Sequence, residues 1–280
     1  MHSEKHQVLR WAVLAVSLMA TAWLASEFTK APPASGDWQP QYRIPSTAEF
    51  RGGRVTVRNI RNFRYYPEEE DTHPGYYSKE YDLSKIRRVW YTAAPFNENG
   101  LAAHTYLSFE FEGGEFLAVT IEARKTRNQS YSPWKGMLRT YPLIYIAADE
   151  RDVTLMRANT RREKVYVYPV KLEDPRIAGI LFTNMLTDMN SLLVNPRWYH
   201  SLFHNCTSEI ARHVNRIAPG KVSIFSWQLW MTASADELAL KHGLLDTRLP
   251  VDRMREKYFV TEKSLKSGDV PGYSRLIREQ

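Results

Sequence analysis

Apolar and polar side chains alternate in short stretches along the first two thirds of the chain. Arg54-Val55-Thr56-Val57-Arg58-Asn59-Ile60 has this period of two, and Phe63 carries the pattern on into a loop. Such alternation marks a half-buried strand. Residues 86–92 predict a second strand, and a Pro/Asn/Gly loop then delivers the chain to Ala103-His104-Thr105-Tyr106-Leu107-Ser108-Phe109-Glu110-Phe111, which predicts a third. Glu112-Gly113-Gly114-Glu115 reads as a hairpin turn returning the chain through a fourth strand at residues 116–122. A strict two-residue turn would set Ala123 across from His104, whereas a one-residue bulge would set Glu122 or Arg124 there. Residues 143–148 and 165–170 predict further strands, separated by charged runs. The period then changes. Asp174 caps and Pro175 starts a helix. Its Ile177, Ile180, Leu181, Met185, Met189 and Leu192 form one apolar stripe that ends at Asn195-Pro196. Ile210, Val214 and Ile217 recur at helical spacing in a second helix. The remainder is mixed and mostly helical, and the last fifteen or so residues read as a frayed polar tail.

Two other segments frame this pattern. Residues 11–25 are almost wholly apolar, broken only by Ser17 and Thr21 and preceded by Lys5 and Arg10. At about 15 residues the run is short for a spanning helix, which needs about 20. Trp23 and Leu24 extend it past the cleavage-like Ala20-Thr21-Ala22, which favours an uncleaved signal anchor over cleaved export, with a soluble helix third. The preceding basic residues place the N-terminus in the cytoplasm and the body outside. Residues 29–47, rich in Pro, Ser and Gly, read as a linker. The division expected is therefore 1–28 anchor or signal peptide, 29–50 linker, 51–265 folded domain and 266–280 tail.

Composition adds three constraints. With 280 residues, 43% hydrophobic and 25% charged, the chain is ordinary for a globular protein with a full core. A net charge of +7 and a pI near 9.3 suit an anionic partner such as a membrane surface, an acidic glycan or nucleic acid. A single cysteine excludes an internal disulfide, and in an exported protein an unpaired thiol calls for a reason.

That cysteine lies in Phe203-His204-Asn205-Cys206-Thr207-Ser208-Glu209, at the start of the second helix. Asn205 or Cys206 could cap it, and a Cys206 cap would put Glu209 in the capping-box position. Unpaired N–H groups and the helix dipole there stabilise an anion, lowering the thiol pKa. The best-placed base is His104 on its strand. Cysteine on a helix N-terminus and histidine on a strand is the arrangement of papain-like thiol enzymes, here with the histidine first, as in circularly permuted forms. Glu122 is the candidate for orienting the ring, the third role in a triad. The plainer alternative is that Cys206 is a small buried hydrophobe and His104 a hydrogen-bonded core residue.

Other chemistry is less well supported. His200, His204 and Cys206 are close enough for a zinc site, but they straddle the helix boundary and no fourth ligand completes them. No metal or cofactor is expected. Residues 58–66 interleave basic and aromatic side chains, as nucleic-acid platforms do. An outward location argues against nucleic acid, leaving a substrate-binding or solvated loop, with Asn62 as a candidate contact. Glu68-Glu69-Glu70-Asp71 reads as a solvated turn.

VRNIRNFRYY, YYSKEYDL, AHTYLSFEFEGGEFLAVTIEARK, YIAADERDV and HNCTSEIARHV, in this order and spacing, resemble the Lnb N-terminal periplasmic domain family from about Arg51 to Thr261. The resemblance implies an α+β fold, a circularly permuted papain-like (NlpC-type) domain, at the outer face of a bacterial inner membrane. It also implies acyl transfer by a cysteine–histidine pair onto an amine such as a lipoprotein N-terminus, with membrane phospholipid or lipoprotein as partner. Cys206, His104 and Glu122 would be catalytic, the Cys206 or Thr207 N–H groups would receive the oxyanion, and Asn205, Thr207, Arg124 and Asn62 would bind substrate. The extra membrane-spanning segments of larger relatives have no counterpart after Cys206. An amidase acting on peptidoglycan peptides and a non-catalytic envelope binding module are the alternatives.

Overall fold

Gly113 and Gly114 decide the register on which the central hairpin is built. Both adopt left-handed backbone, φ 86° and 75°, which glycine reaches without a Cβ clash. Phe111 pairs with Glu115, so the loop is the three residues Glu112-Gly113-Gly114. The strict two-residue turn is not the one formed. Pairing continues through Tyr106 with Thr120, and two residues further along the same register Glu122 lies opposite His104.

The computed structural model describes residues 10, 11, 13–22, 29–65, 73–97 and 100–279. Their strands are β1 (Thr47–Arg51), β2 (Arg54–Arg61), β3 (Tyr76–Asp82), β4 (Ile86–Pro95), β5 (Ala103–Phe111), β6 (Glu115–Ala123), β7 (Leu143–Asp149) and β8 (Tyr166–Pro169). They form one sheet in the order β1-β2-β7-β6-β5-β4-β8, with β3 also paired to β2. All these pairs are antiparallel except β2 and β7, which meet in parallel at Arg61 and Ala148. The protein is therefore α+β. The three-residue step from Val57 to Ile60, which breaks the alternation in β2, is a bulge at which Asn59 takes φ 55°.

Helices cover both faces. On one face α2 (Arg176–Val194) buries Ala178, Leu181, Phe182, Met185, Leu186, Met189 and Leu192. Phe182 packs against Phe109 with ring centroids 4.7 Å apart and the planes tilted by 54°. The stripe is rotated from the one expected, because Ile180 is 49% exposed while Ala178, Phe182 and Leu186 face inward. This helix is long and apolar enough to cross a membrane, yet it packs as a core helix beside α3 (Cys206–Ile217). On the opposite face Tyr106, Ala118, Ile144 and Ile146 pack against Trp38, Tyr42 and Val153 of α1 (Glu150–Leu155).

Several segments expected to be solvated are integrated into the domain. The segment 29–47 delivers Trp38 and Tyr42 to the core, and β1 follows at once. The basic and aromatic stretch after Arg58 turns inward. Arg61 and Phe63 are buried, and Arg61 grips Asp152 through two bonds of 3.0 Å from Nε and Nη2. The C-terminal segment is no frayed tail, since Tyr273 and Ile277 are buried and Arg278 pairs with Glu150. The acidic run Glu68–Asp71 lies outside the described residues. Of residues 11–25, the described part includes an exposed apolar helix, Val13–Ala22, shorter than a span.

Asp152 also accepts from the Phe63 amide at 2.7 Å and from the Tyr65 hydroxyl at 3.1 Å. One buried carboxylate thus ties β2 to α1. Asp152→Ala leaves the Arg61 guanidinium buried without its counter-charge, and should lower the unfolding free energy by about 3–5 kcal/mol in a denaturant titration. A loss under about 1 kcal/mol would mean that water reaches Arg61 readily.

Candidate active site

The start of α3 is set by its cap. Asn205 is the N-cap residue: its Oδ1 accepts from the Ser208 amide at 2.8 Å, and Ser208 Oγ accepts from the Asn205 amide at 2.9 Å. Ser208, not Glu209, therefore closes the capping box, and Cys206 becomes the first helical residue. The Cys206 and Thr207 N–H groups are left as the first-turn donors that no helical carbonyl can reach. Glu209 turns to the other side. It accepts from Tyr145 Oη at 2.8 Å, lies 2.9 Å from His204 Nδ1, and pairs with Arg212 and Arg197. These partners hold the helix against β7.

Cys206 is buried at the point where β5 begins, its Sγ 3.8 Å from the Ala103 carbonyl oxygen. Thr207 sits beside it, with Oγ1 3.0 Å from Thr105 Oγ1 across the gap to the strand. His104 leaves β5 on the face that also carries Thr120 and Glu122. Its Nε2 is 2.7 Å from Thr120 Oγ1 and 3.1 Å from Glu122 Oε1. Thr120 in turn donates to Glu122 at 3.0 Å. His104 and Cys206 line the same cleft, and each shifts the ionisation of the other.

The electrostatics follow from this packing. Burial pushes the Cys206 thiol up, but hydrogen bonding and charge attraction from His104, with smaller help from Thr105, bring it down to about 7. Burial and the nearby Arg157 work against protonating His104, yet Glu122 and Cys206 outweigh them and raise it. Burial alone would push Glu122 up; charge and hydrogen bonding from His104, then Arg157, hold it well below the usual carboxylate range. Cys206 and His104 are thus poised to share one proton near neutrality, while Glu122 stays ionised beside them.

A cleft of about 680 Å³ opens over the pair. Phe96, Leu101, Trp134, Met137, Trp230 and Met231 supply apolar walls, while Lys125, Arg157 and Arg161 supply cations. Tyr199 and Tyr131 also line it, their hydroxyls 3.2 Å apart. Burial, and then the facing Cys206, push the Tyr199 hydroxyl well up, so it remains a proton donor.

Not all expected contacts converge here. Asn205 lines the cleft, but its amide is committed to the cap and to the Ser201 and Leu229 carbonyls, each at 2.8 Å. Arg124 stacks on Trp38 at 4.4 Å and donates to the Tyr42 carbonyl. Asn62 accepts from Arg151. None of Arg124, Asn62 and Thr207 is among the residues lining the cleft, the Thr207 hydroxyl being turned to Thr105 instead. His200 Nδ1 accepts from the Leu202 amide at 3.2 Å, and His204 turns to Glu209.

Three residues of the site escaped the sequence reading. Thr120 was detectable, being two positions from Glu122 on one strand face. Arg157 sits in a π-helical turn, Met156–Thr160, that continues α1, and its Nη2 lies 3.4 Å from Glu122 Oε1 while Nη1 donates to Glu163 at 3.2 Å. No sequence period announces such a turn. Tyr199 comes from the segment before the cap, where nothing in the pattern distinguishes it.

The model of the Lnb N-terminal periplasmic domain matches residues 73–233, which include the histidine strand, the glutamate strand and the cysteine helix. The chain belongs to this family. No curated protein and no solved structure matches it. The Lnb match covers more than half of the chain and ends just beyond Thr232, whose Oγ1 bridges the Ala103 amide and carbonyl at 2.7 and 2.8 Å.

Within this Lnb-family site Glu122 favours the charged form of His104, and His104 favours the thiolate of Cys206. Glu122→Gln removes the charge that raises His104, so the imidazolium is lost at lower pH and the thiol pKa rises from about 7. The rate of iodoacetamide alkylation against pH should show its midpoint moved upward by about one unit, a tenfold loss of thiolate on the rising limb. An unmoved midpoint would sever Glu122 from the pair.

Proposed function

We propose that the protein is a cysteine acyltransferase of the Lnb type, working through a thioester on Cys206. The observation that carries this reading is the buried Cys206–His104–Glu122 constellation at the floor of a cleft walled largely by apolar side chains. The histidine strand precedes the cysteine helix, which supports a circularly permuted papain-like, NlpC-type domain. The family's periplasmic description, with the apolar segment 11–25, supports a domain held at the outer face of the inner membrane.

The reaction divides into two proton-balanced halves. His104 takes the Sγ proton, and the thiolate attacks an ester carbonyl. The Cys206 or Thr207 amide, with Tyr199 Oη at the cleft wall, would receive the oxyanion. As the tetrahedral species collapses, the C–O bond breaks and the departing alkoxide takes the proton from His104, leaving the S-acyl enzyme. An amine then attacks the thioester and gives its proton to His104. The thiolate leaves and the amide is released. Glu122 and Thr120 hold the ring in register throughout, and Arg157 fixes the Glu122 carboxylate.

A second reading has one observation in its favour. Lys125 and Arg161 bring cations to the cleft, which suit the carboxylates of cell-wall peptides. An amidase would use the same thiol and histidine, with water as final acceptor.

Intact-protein mass spectrometry separates the two. Incubation with phospholipid vesicles should add one acyl group, removable by neutral hydroxylamine, and Cys206→Ser should abolish this labile adduct. Incubation with muropeptides should give product only if the amidase reading holds. Failure of both substrates to engage Cys206, with the thiol intact, would return the protein to a binding module.

A further inference from the structure

Four segments around the mouth of the cleft carry large apolar side chains exposed to solvent. Trp134 and Leu138 are 75% and 76% exposed, and Phe225 is 75% exposed. Leu101, Phe203 and Trp227 are exposed by half or more. They belong to one rim. Ser201 Oγ donates to the Pro133 carbonyl at 2.7 Å, Phe203 meets Trp230 edge-on at 6.4 Å, and the Ala233 amide donates to Leu101 at 3.1 Å. So many large exposed apolar side chains on the segments around one cleft are unusual for a surface that meets only water.

The charge on these segments is one-sided. Residues 130–141, 196–205 and 218–231 contain no Asp or Glu and carry Lys135, Arg139, Arg197 and Lys221, against one acid, Glu98, in the stretch that leads to Leu101. Aromatic side chains interleaved with Lys and Arg are the chemistry of a bilayer interface, where rings sit at headgroup depth and cations meet anionic lipid. A protein partner would more often be met by charges of both signs.

The chain path points the same way. Trp198 Nε1 donates to the Lys30 carbonyl at 2.8 Å, tying the stretch that follows the apolar helix Val13–Ala22 to the segment leading into Cys206. Seven residues lie between Ala22 and Lys30, eight backbone steps, a reach of about 28 Å at full extension. With that helix in the membrane, Trp198 and the adjoining rim are held close to the bilayer.

We propose that this rim is a membrane-insertion collar that sinks into the headgroup zone of an anionic bilayer and opens the Cys206 cleft directly to lipid. Its part in substrate delivery rests on the acyl-transfer reading, while the docking itself does not. A lipid ester would then enter the cleft from the membrane without crossing water.

The test uses the full chain in mixed phosphatidylcholine and phosphatidylglycerol vesicles, in a Cys206→Ala background that leaves one labelling site. An environment-sensitive fluorophore is placed by Phe225→Cys or, as control, by Glu112→Cys. Glu112 lies in the hairpin loop at the end of β5 remote from His104, about 26 Å along the strand. Acyl-chain-brominated lipids should quench the label at position 225 several-fold and leave that at 112 nearly unchanged. Equal, weak quenching at both positions would overturn the collar. A blue shift at 225 that needs no lipid and grows with protein concentration would assign the rim to a second copy, and would overturn it too. In protein with Cys206 intact, Leu138→Ser with Phe225→Ser should cut acyl transfer from vesicle lipid at least tenfold while iodoacetamide alkylates Cys206 at the parent rate. Quenching at 225 without any acyl adduct would support the collar and sink acyl transfer alone.

Discussion

A largely buried carboxylate is the constraint to which the rest of the site answers. Removing a carboxylate from water costs several kcal/mol unless counter-charge and hydrogen bonds replace its hydration. Glu122 is compensated by His104, Thr120 and Arg157, and Arg157 requires Glu163 in its turn. Each partner comes from a different structural device. The hairpin register supplies His104, strand alternation supplies Thr120, and the π turn after α1 swings Arg157 inward. Removing His104 or Arg157 would leave Glu122 short of counter-charge, and removing Thr120 would cost it a hydrogen bond. The same chain of compensation is what keeps an imidazolium available to the thiol, so the stability of this region and the reactivity of Cys206 rest on the same contacts.

The cysteine helix is held by a second network that never touches the cleft. Glu209, drawn down to about 2 despite burial by His204, Arg212, Arg197 and Tyr145, pins the first turn of α3 to β7. His213, on the buried face one turn on, is held neutral at about 4, chiefly by burial. Asp188 reaches across from α2 to Arg212 and Arg216. The position of Sγ is therefore fixed from behind by ion pairs and from the front by the Asn205 cap. That division leaves the cleft side of the helix start free of obligatory partners, which suits a group that must change its bonding during a reaction.

What could be read from the sequence was whatever rests on local pattern. The alternation in β2, β4, β5, β6 and β7, the stripe of α2 and the capped start of α3 all announce themselves, and the cysteine and histidine could be named from their elements. The identity of the residue opposite His104 depended on one extra turn residue, which pattern alone leaves open. Segments such as 29–47 and 266–279 looked solvated because their composition is polar. They fold in because a few large side chains, Trp38, Tyr42, Tyr273 and Ile277, fill sites that long-range packing creates. Arg61 shows the limit most clearly. It lies among other arginines and nothing local distinguishes it, yet Asp152, 91 residues away, takes it into the core.

The solitary thiol also becomes intelligible. In a periplasmic domain a free cysteine with a pKa of about 7 is exposed to oxidation in proportion to its thiolate and its accessibility. Cys206 carries substantial thiolate near neutrality but is only 6% exposed, and the chain offers no second cysteine to trap it as an internal disulfide. Its thiolate is also tied to an imidazolium and to Thr105, which blunts nucleophilicity toward reagents that do not fit the cleft. A merely structural cysteine would need none of this, because a neutral thiol in an apolar core is inert and its pKa rises. Here burial is opposed by a charged partner whose own charge is maintained by a buried carboxylate. That opposition is retained at the expense of desolvating several charges, and it is what supports the proposal of nucleophilic chemistry over the plainer packing role.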